Sequence, residues 1–402
     1  MKKVFVPMFA ASALLAGGYN IPEKSVNAVA LSSAVVAHSS GVDSAYYNPA
    51  NISFMSDGSQ MELDLIYIGL SKVDYKGSVT TLLGTTNGVA TSSEKEDFLV
   101  PSFHYISPKV GQVRYALSMV SPGGLSKRWS QQPAAALSEE FSLQTIELNP
   151  SVAYMLNDKF SLAAGLRMVY SSGVVKAQIP TVYLQKLEGD SLDFGYNLAL
   201  AYKPTKEVEV GVTYRSNIDL TLDGDADIYH MALINPQRKV GVSVSVPLPA
   251  SLNIALAYTI AEKTTVEFVY ERNFWSSYNS LNFDFEDVVG EAVFGTPSLK
   301  DWSDVSAYRF GVTHQLEKYK LMAGIVFDNT PIPESTLGPE LPDSDSTSVS
   351  VGMRYQVNEK LDFGISTLYS MRDDRKVNNS HLSGEFTDSN ILLVSTGIGY
   401  KF

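Results

Sequence analysis

The chain has 402 residues, of which 18 % are charged and 45 % hydrophobic, with 18 Phe, 22 Tyr and 3 Trp. Thirty-one Lys and Arg against 43 Asp and Glu leave a formal charge of −12, which argues against nucleic acid as a partner. The absence of cysteine excludes disulfide scaffolds, thiolate metal sites and thiol catalysis. Beyond the N-terminus no apolar run approaches the roughly 18 residues of a membrane helix. A membrane β-barrel stays open, because its strands alternate and never form such a run.

Met1-Lys2-Lys3, the apolar stretch Val4 to Ala16 and the small residues Ala16, Gly17 and Gly18 have the layout of a cleaved secretory signal peptide over residues 1–18. Residues 19–58 do not alternate. They are rich in small and turn-forming residues, as in Gly41-Val42-Asp43-Ser44-Ala45-Tyr46-Tyr47-Asn48-Pro49-Ala50-Asn51, yet lack the charge of a disordered tail. Such a stretch is predicted to fold as a plug inside a lumen. From residue 59 to 402 the signal is period two. Val208, Val210, Val212 and Tyr214, for example, alternate with Glu209, Gly211, Thr213 and Arg215.

About fourteen strands are predicted, over 60–75, 97–107, 110–121, 140–155, 159–177, 189–203, 206–222, 238–260, 264–286, 302–316, 319–328, 345–357, 360–375 and 383–402. Their joints alternate in length. Ser107-Pro108-Lys109, Asn157-Asp158, Pro204-Thr205, Glu262-Lys263, Glu317-Lys318 and Asn358-Glu359 are short, whereas 76–95, 122–139, 178–189, 223–237, 287–301 and 329–344 are long. Short turns on one rim and long loops on the other mark an outer-membrane barrel. With the apolar set facing lipid, the lumen receives Glu62, Asp64, Arg114, Glu147, Arg167, Asp193, Arg215, Glu267, Arg309, Arg354 and Asp362. Burying an unpaired charge costs several kcal/mol, so the five arginines should find Glu62, Asp64, Glu147, Asp193 or the plug. The reading is therefore all-β: a transmembrane antiparallel barrel with an N-terminal hatch, in the outer membrane of a Gram-negative bacterium.

No enzymatic constellation emerges. The five histidines are scattered, and no Gly-x-Ser-x-Gly elbow occurs. Asp223, Asp225 and Asp227 open like a calcium loop, but Ile228 and Ile234 stand where Gly and Glu belong, so neither a metal nor another cofactor is expected. Pro122, Leu125 and Trp129 fall in a loop of mixed apolar character after the third strand, a candidate ligand-capture loop. Pro101 and Pro150, in the second and fourth strands, each lack a ladder donor and flank the third strand at Arg114 and Ala116. Those four residues are predicted to mark a gap in the wall.

Several segments resemble the FadL family of outer-membrane long-chain fatty-acid transporters, which includes aromatic-hydrocarbon transporters. They are Gly18-Tyr19-Asn20-Ile21, Asp43 to Ala50, Trp302-Ser303-Asp304, Arg309-Phe310-Gly311, Gly324 to Pro333 and Leu341 to Asp345. The resemblance implies a fourteen-stranded barrel whose N-terminal hatch carries the motif Asn48-Pro49-Ala50. It also implies passive capture of a hydrophobic molecule by outer loops and its lateral exit beside a kinked third strand. Arg309, from its place in a matching segment, is the candidate contact for a substrate carboxylate. The expected partners are a hydrophobic small molecule, membrane lipid and lipopolysaccharide, and the chain is expected to act as a monomer. A general diffusion porin for polar solutes is the alternative.

Overall fold

The computed structural model describes residues 17–38 and 41–402. Fourteen antiparallel strands close into a barrel. The first eight are β1 (Gln60–Leu70), β2 (Glu96–Ile106), β3 (Val113–Val120, then Gly124–Arg128), β4 (Glu140–Asn157), β5 (Phe160–Ile179), β6 (Tyr183–Tyr202), β7 (Val208–Arg215, then Ile218–His230) and β8 (Ile234–Leu248, then Ser251–Ile260). The rest are β9 (Thr264–Asn273), β10 (Val305–Gln315), β11 (Tyr319–Asp328), β12 (Ser346–Gln356), β13 (Leu361–Arg372) and β14 (Ile391–Lys401). β1 pairs with β14 from Gln60↔Lys401 to Leu70↔Ile391, which closes the ring and leaves no free sheet edge there.

Alternation sorts the side chains as a bilayer demands. Leu63, Phe194, Leu256 and Val351 are each more than half exposed, although apolar, while Glu62, Asp64, Arg167 and Arg354 are buried. An exposed apolar face with a polar interior is the inverse of a soluble sandwich, and it fits hydrocarbon outside.

The outer joints are less loop-like than the sequence suggests. Residues 183–190 and 223–230 pair with each other, from Asp223↔Asp190 to His230↔Tyr183, so β6 and β7 rise well beyond the predicted 189 and 222. Both stretches are polar on one face, which hid them from a pattern that seeks lipid-facing residues. The first long joint is itself a hairpin, Asp74–Thr81 with Gly84–Ser92, in a four-stranded sheet with Arg375–Asn378 and Leu382–Thr387. β9 ends at Asn273 rather than 286, and β14 begins at Ile391 rather than 383.

Of the expected signal peptide, only Gly17 and Gly18 fall within the described residues. Residues 23–37 and 42–53 are buried, whereas Ser56 and Asp57 are exposed. A short helix, Val26–Ala30, capped by the Ser25 hydroxyl, rests on β12, β13 and β14. Inward glycines make that approach close. A methyl on Gly324 would stand 2.3 Å from the Leu31 carbonyl carbon, and one on Gly211 would stand 2.5 Å from the Val36 oxygen.

Candidate transport site

Among the described residues, an apolar cavity and a polar chamber meet at the N-terminal segment. The first encloses about 820 Å³ counted out to its open mouth. Leu125, Phe141, Leu143 and Leu187 line one side, and Leu222, Val244, Tyr278 and Trp302 the other. The second is lined by Lys24, Arg167, Arg215, Glu271 and Asn273 among others. Tyr19 stands in the wall of the first chamber and Asn20 and Ile21 in that of the second, so the N-terminal segment divides them.

Tyr19 holds its place through an aromatic cluster. Its ring lies 4.8 Å from Trp275 and 5.8 Å from Trp302, and its hydroxyl donates to the Pro247 carbonyl. Burial, with Tyr278 and Asp219 nearby, drives the Tyr19 phenol well above its ordinary pKa, so it stays a neutral donor. One ion pair interrupts the greasy lining: Lys300 Nζ lies 2.7 Å from Glu340 Oε1. Burial opposes both charges, but each partner outweighs it, so Lys300 titrates above and Glu340 below its usual range. Among the cavity's polar groups, the Trp302 indole N–H has no hydrogen-bond partner.

The wall beside this cavity is broken. β2 and β3 pair only from Ile106↔Ala116 to Phe103↔Met119. Beyond Met119, β3 turns inward, and every residue from Val120 to Lys127 is buried. Its backbone there takes a new partner. The Pro122 carbonyl accepts from Ile21 N at 3.1 Å, and Gly124 N donates to the Tyr19 carbonyl at 2.8 Å. Gly123 fits because it has no side chain: a Cβ would meet the Tyr19 oxygen at 2.9 Å. The opening closes again above, where Glu94 N donates to the Arg128 carbonyl at 2.9 Å and Arg128 pairs with Glu96 at 2.7 Å.

This geometry corrects the proline argument. Pro150 does oppose Leu117 of β3, but the ladder it interrupts is the one with β5, which skips from Leu148↔Met168 to Ser151↔Gly165. There Asn149 Nδ2 donates to the Leu166 carbonyl at 2.8 Å and stands in for the missing N–H. Ala116 sits in continuous pairing with Ile106 and Ser151, below the break. Arg114 donates to five backbone carbonyls, those of Ser107, Ile52, Met55, Ser56 and Gly58. Pro101 pairs across to Leu65 of β1, while its other side faces the opening.

Pro122, Leu125 and Trp129 do not form one exposed loop. Leu125 lines the apolar cavity and Pro122 the polar chamber. Trp129 is buried elsewhere, its Nε1 donating to the Pro339 carbonyl at 2.7 Å and its ring 6.2 Å from Phe386. The inward turn at Pro122 draws the three apart. Asn48 caps the 3-10 turn Pro49–Phe54 and ties Val36 and Leu200 together through Nδ2, at 2.8 and 3.1 Å to their carbonyls, and Ala50 N donates back to its Oδ1.

Arg309 lies outside both chamber linings. It pairs with Glu271 at 2.7 Å and Glu23 at 3.6 Å and donates to the Ser32 carbonyl. Arg167 and Arg215 share Glu147, at 2.9 and 3.2 Å, and Arg354 binds Glu62 and Asp362. Asp193 instead accepts from Ser191 at 2.6 Å. Sequence reasoning placed none of Tyr19, Trp275, Tyr278, Lys300, Trp302 and Glu340 in a ligand cavity. The available signal was the concentration of tryptophan and tyrosine in loops off the alternating pattern.

The model of the family described as outer membrane protein transport protein (OMPP1/FadL/TodX) matches residues 7–402. The chain belongs to that family. It is therefore an outer-membrane transport protein of the FadL type. It is 25 % identical over 321 residues to a long-chain fatty acid transport protein of Escherichia coli O6:H1, covering 68 % of this chain and 70 % of that one. It is 24 % identical over 430 aligned positions to outer membrane protein P1 of Haemophilus influenzae, covering 92 % and 90 %. Its fold matches a Pseudomonas aeruginosa FadL homologue at a TM-score of 0.85 and 19 % identity, covering 96 % of this chain and 100 % of that one. The Pseudomonas putida toluene transporter TodX follows at 0.73 and 15 %, covering 96 % and 99 %.

Proposed function

We propose that this FadL-type protein passively imports hydrophobic small molecules, fatty acids or hydrocarbons, which leave sideways through the opening between β2 and β3. The observation that carries the reading is that Leu125, in the stretch of β3 that has no ladder with β2, lines the apolar cavity. An alkyl chain gains roughly 0.8 kcal/mol for each CH₂ taken out of water, so a greasy cavity opening to lipid is its favoured path. Residues 19–58 act as the plug, and the barrel of residues 59–402 works as a monomer, in contact with membrane lipid and lipopolysaccharide. No catalytic step is involved. The plug's hold on the lumen argues against free diffusion of polar solutes.

Lys300 is the better candidate for a carboxylate contact than Arg309, because it lines the cavity while Arg309 lies outside the lining, held by Glu271, Glu23 and the Ser32 carbonyl. The test is uptake of oleate by Gram-negative cells that lack their own transporter. Bridging Val100→Cys to Pro122→Cys across the opening with a short thiol cross-linker should cut uptake steeply, and reduction should restore it. Undiminished uptake in the bridged protein contradicts lateral exit at β3.

A further inference from the structure

The ring of strands is broken a second time, on the far side of the apolar cavity. β6 and β7 pair from Val210↔Tyr202 to Arg215↔Asn197, and again from Asp223↔Asp190 to His230↔Tyr183. Between these ladders Ser191–Gly195 have no pairing partner on β7. The lower ladder ends in a stitch at Ser216, whose N donates to the Tyr196 carbonyl at 2.9 Å and whose Oγ accepts from Tyr196 N at 3.0 Å. Arg167 then fixes the turn by donating to the Ser216 carbonyl at 2.8 Å. Because Tyr196 turns its N–H and C=O toward β7, alternation turns those of Phe194 and Leu192 the same way, toward a place where no ladder stands.

This break lies at lipid level: Leu192, Phe194 and Tyr196 are each more than half exposed on the outer face of β6. A barrel normally satisfies all its backbone in that zone. The register of β7 also changes at the break. Below it Val208, Val210 and Val212 share the outward face with Tyr214; above it Ile218, Leu220 and Leu222 turn inward and are buried, and Asp219 and Thr221 are exposed. β7 has stepped inside β6. Ile218 lies so close to the inner face of Gly195 that a methyl there would stand 2.6 Å from its Cγ1. Leu222 then reaches the apolar cavity itself, and Ile218 and Leu220 pack in the same apolar cluster as Tyr19 and Leu248.

We propose that the break between β6 and β7 is a second lateral portal joining the apolar cavity to lipid, closed in this conformation by the side chains of Ile218 and Leu220. Where a ladder is continuous, as between β5 and β6, a passage would need its hydrogen bonds to part. Behind Gly195, which contributes no side chain, stand the rotatable side chain of Ile218 and the Ser216 hydroxyl rather than a ladder. The portal suits an apolar molecule, since its stoppers Ile218 and Leu220 are aliphatic and its outer β6 flank is Leu192, Phe194 and Tyr196, with Asp219 and Thr221 on the β7 side. The inference rests on lateral transport as proposed above, and the flux through the two openings is separable.

Four proteins decide it, in cells lacking their own transporter, with oleate as probe: the β2–β3 bridge alone, a Gly195→Cys/Ile218→Cys disulfide alone, both together, and the β2–β3 bridge carrying Ile218→Ala. With the β2–β3 opening bridged, residual uptake should remain, rise at least twofold with Ile218→Ala, and vanish when the Gly195–Ile218 disulfide is added. Absence of any residual uptake in the bridged protein would overturn the second portal and leave the first standing. A residual insensitive to both Ile218 changes overturns it as well. Uptake indifferent to every cross-link overturns lateral transport altogether. Ile218→Ala needs no new bond and no larger residue, so it reads the portal even where the disulfide pair fails to fold.

Discussion

Glu267 offers the sharpest handle on the N-terminal segment. Its carboxylate, on β9, accepts from the backbone N–H groups of Val36, Ala37 and His38, at 2.7, 2.7 and 3.1 Å. Replacing Glu267 with Leu removes three hydrogen bonds to one charged acceptor and leaves three donors unsatisfied. At about 1–3 kcal/mol for each stranded donor, roughly 4 kcal/mol of local docking free energy is lost. With each 1.4 kcal/mol worth tenfold, transient release of residues 36–38 should grow by about three orders of magnitude. Glu267→Gln keeps the shape and one acceptor oxygen, so its effect should be much smaller, on the order of 1–2 kcal/mol. Hydrogen–deuterium exchange of the Val36, Ala37 and His38 amides reads this directly, and heat-modifiable mobility on a gel reports that the barrel itself is intact. Exchange at those amides unchanged in a folded Glu267→Leu barrel would refute the claim that this carboxylate anchors the segment.

Other consequences are open to measurement. Gly324→Val should expel the Leu31 backbone, whose carbonyl carbon leaves only 2.3 Å for a Cβ, and raise single-channel conductance in planar bilayers while the barrel stays folded. Lys300→Met should weaken oleate uptake several-fold more than toluene uptake, and equal losses remove the carboxylate role. Glu340 is held below 4.5, so its stabilisation is complete above that pH and disappears as pH falls through the lower folded value; Lys300 is held above 10.5, and its share disappears only as pH rises past that. The loop around Trp302 should accordingly keep a constant thermal midpoint from pH 5 to 10 by tryptophan fluorescence, and soften below about pH 4. Arg354→Met leaves Glu62, Asp64 and Asp362 without their cation, which should lower the unfolding free energy of the barrel, read from urea titration, by several kcal/mol.

Much of the barrel is legible in the sequence because one face must meet hydrocarbon. The alternation at Val208 to Tyr214 and the brief joints such as Asn157-Asp158 locate strands and turns without tertiary information. That logic fails where a strand leaves the bilayer: residues 183–190 and 223–230 have no lipid-facing side chains, so their pairing is set by the neighbour alone. It fails again at the third strand. Residues 122–127 read as part of a loop because Pro122-Gly123-Gly124 breaks the pattern, whereas the chain there has turned inward, taken Tyr19–Ile21 as a partner and resumed as a strand from Gly124. The missing N–H of Pro101 and Pro150 is visible in the sequence, but its direction is not, since each strand has two neighbours. The cavity is the least legible part. Leu125, Phe141, Val244, Tyr278 and Trp302 come from five separate segments and meet only when the ring closes.

The central claim, passive transport of apolar rather than polar molecules, is tested most directly by comparing two fluxes in one set of cells: oleate uptake and influx of a small sugar, with and without the protein. The account predicts that the protein raises oleate uptake many-fold and leaves sugar influx at the background of the transporter-deficient strain. Rapid sugar influx with no gain for oleate would contradict it and make the barrel a diffusion porin.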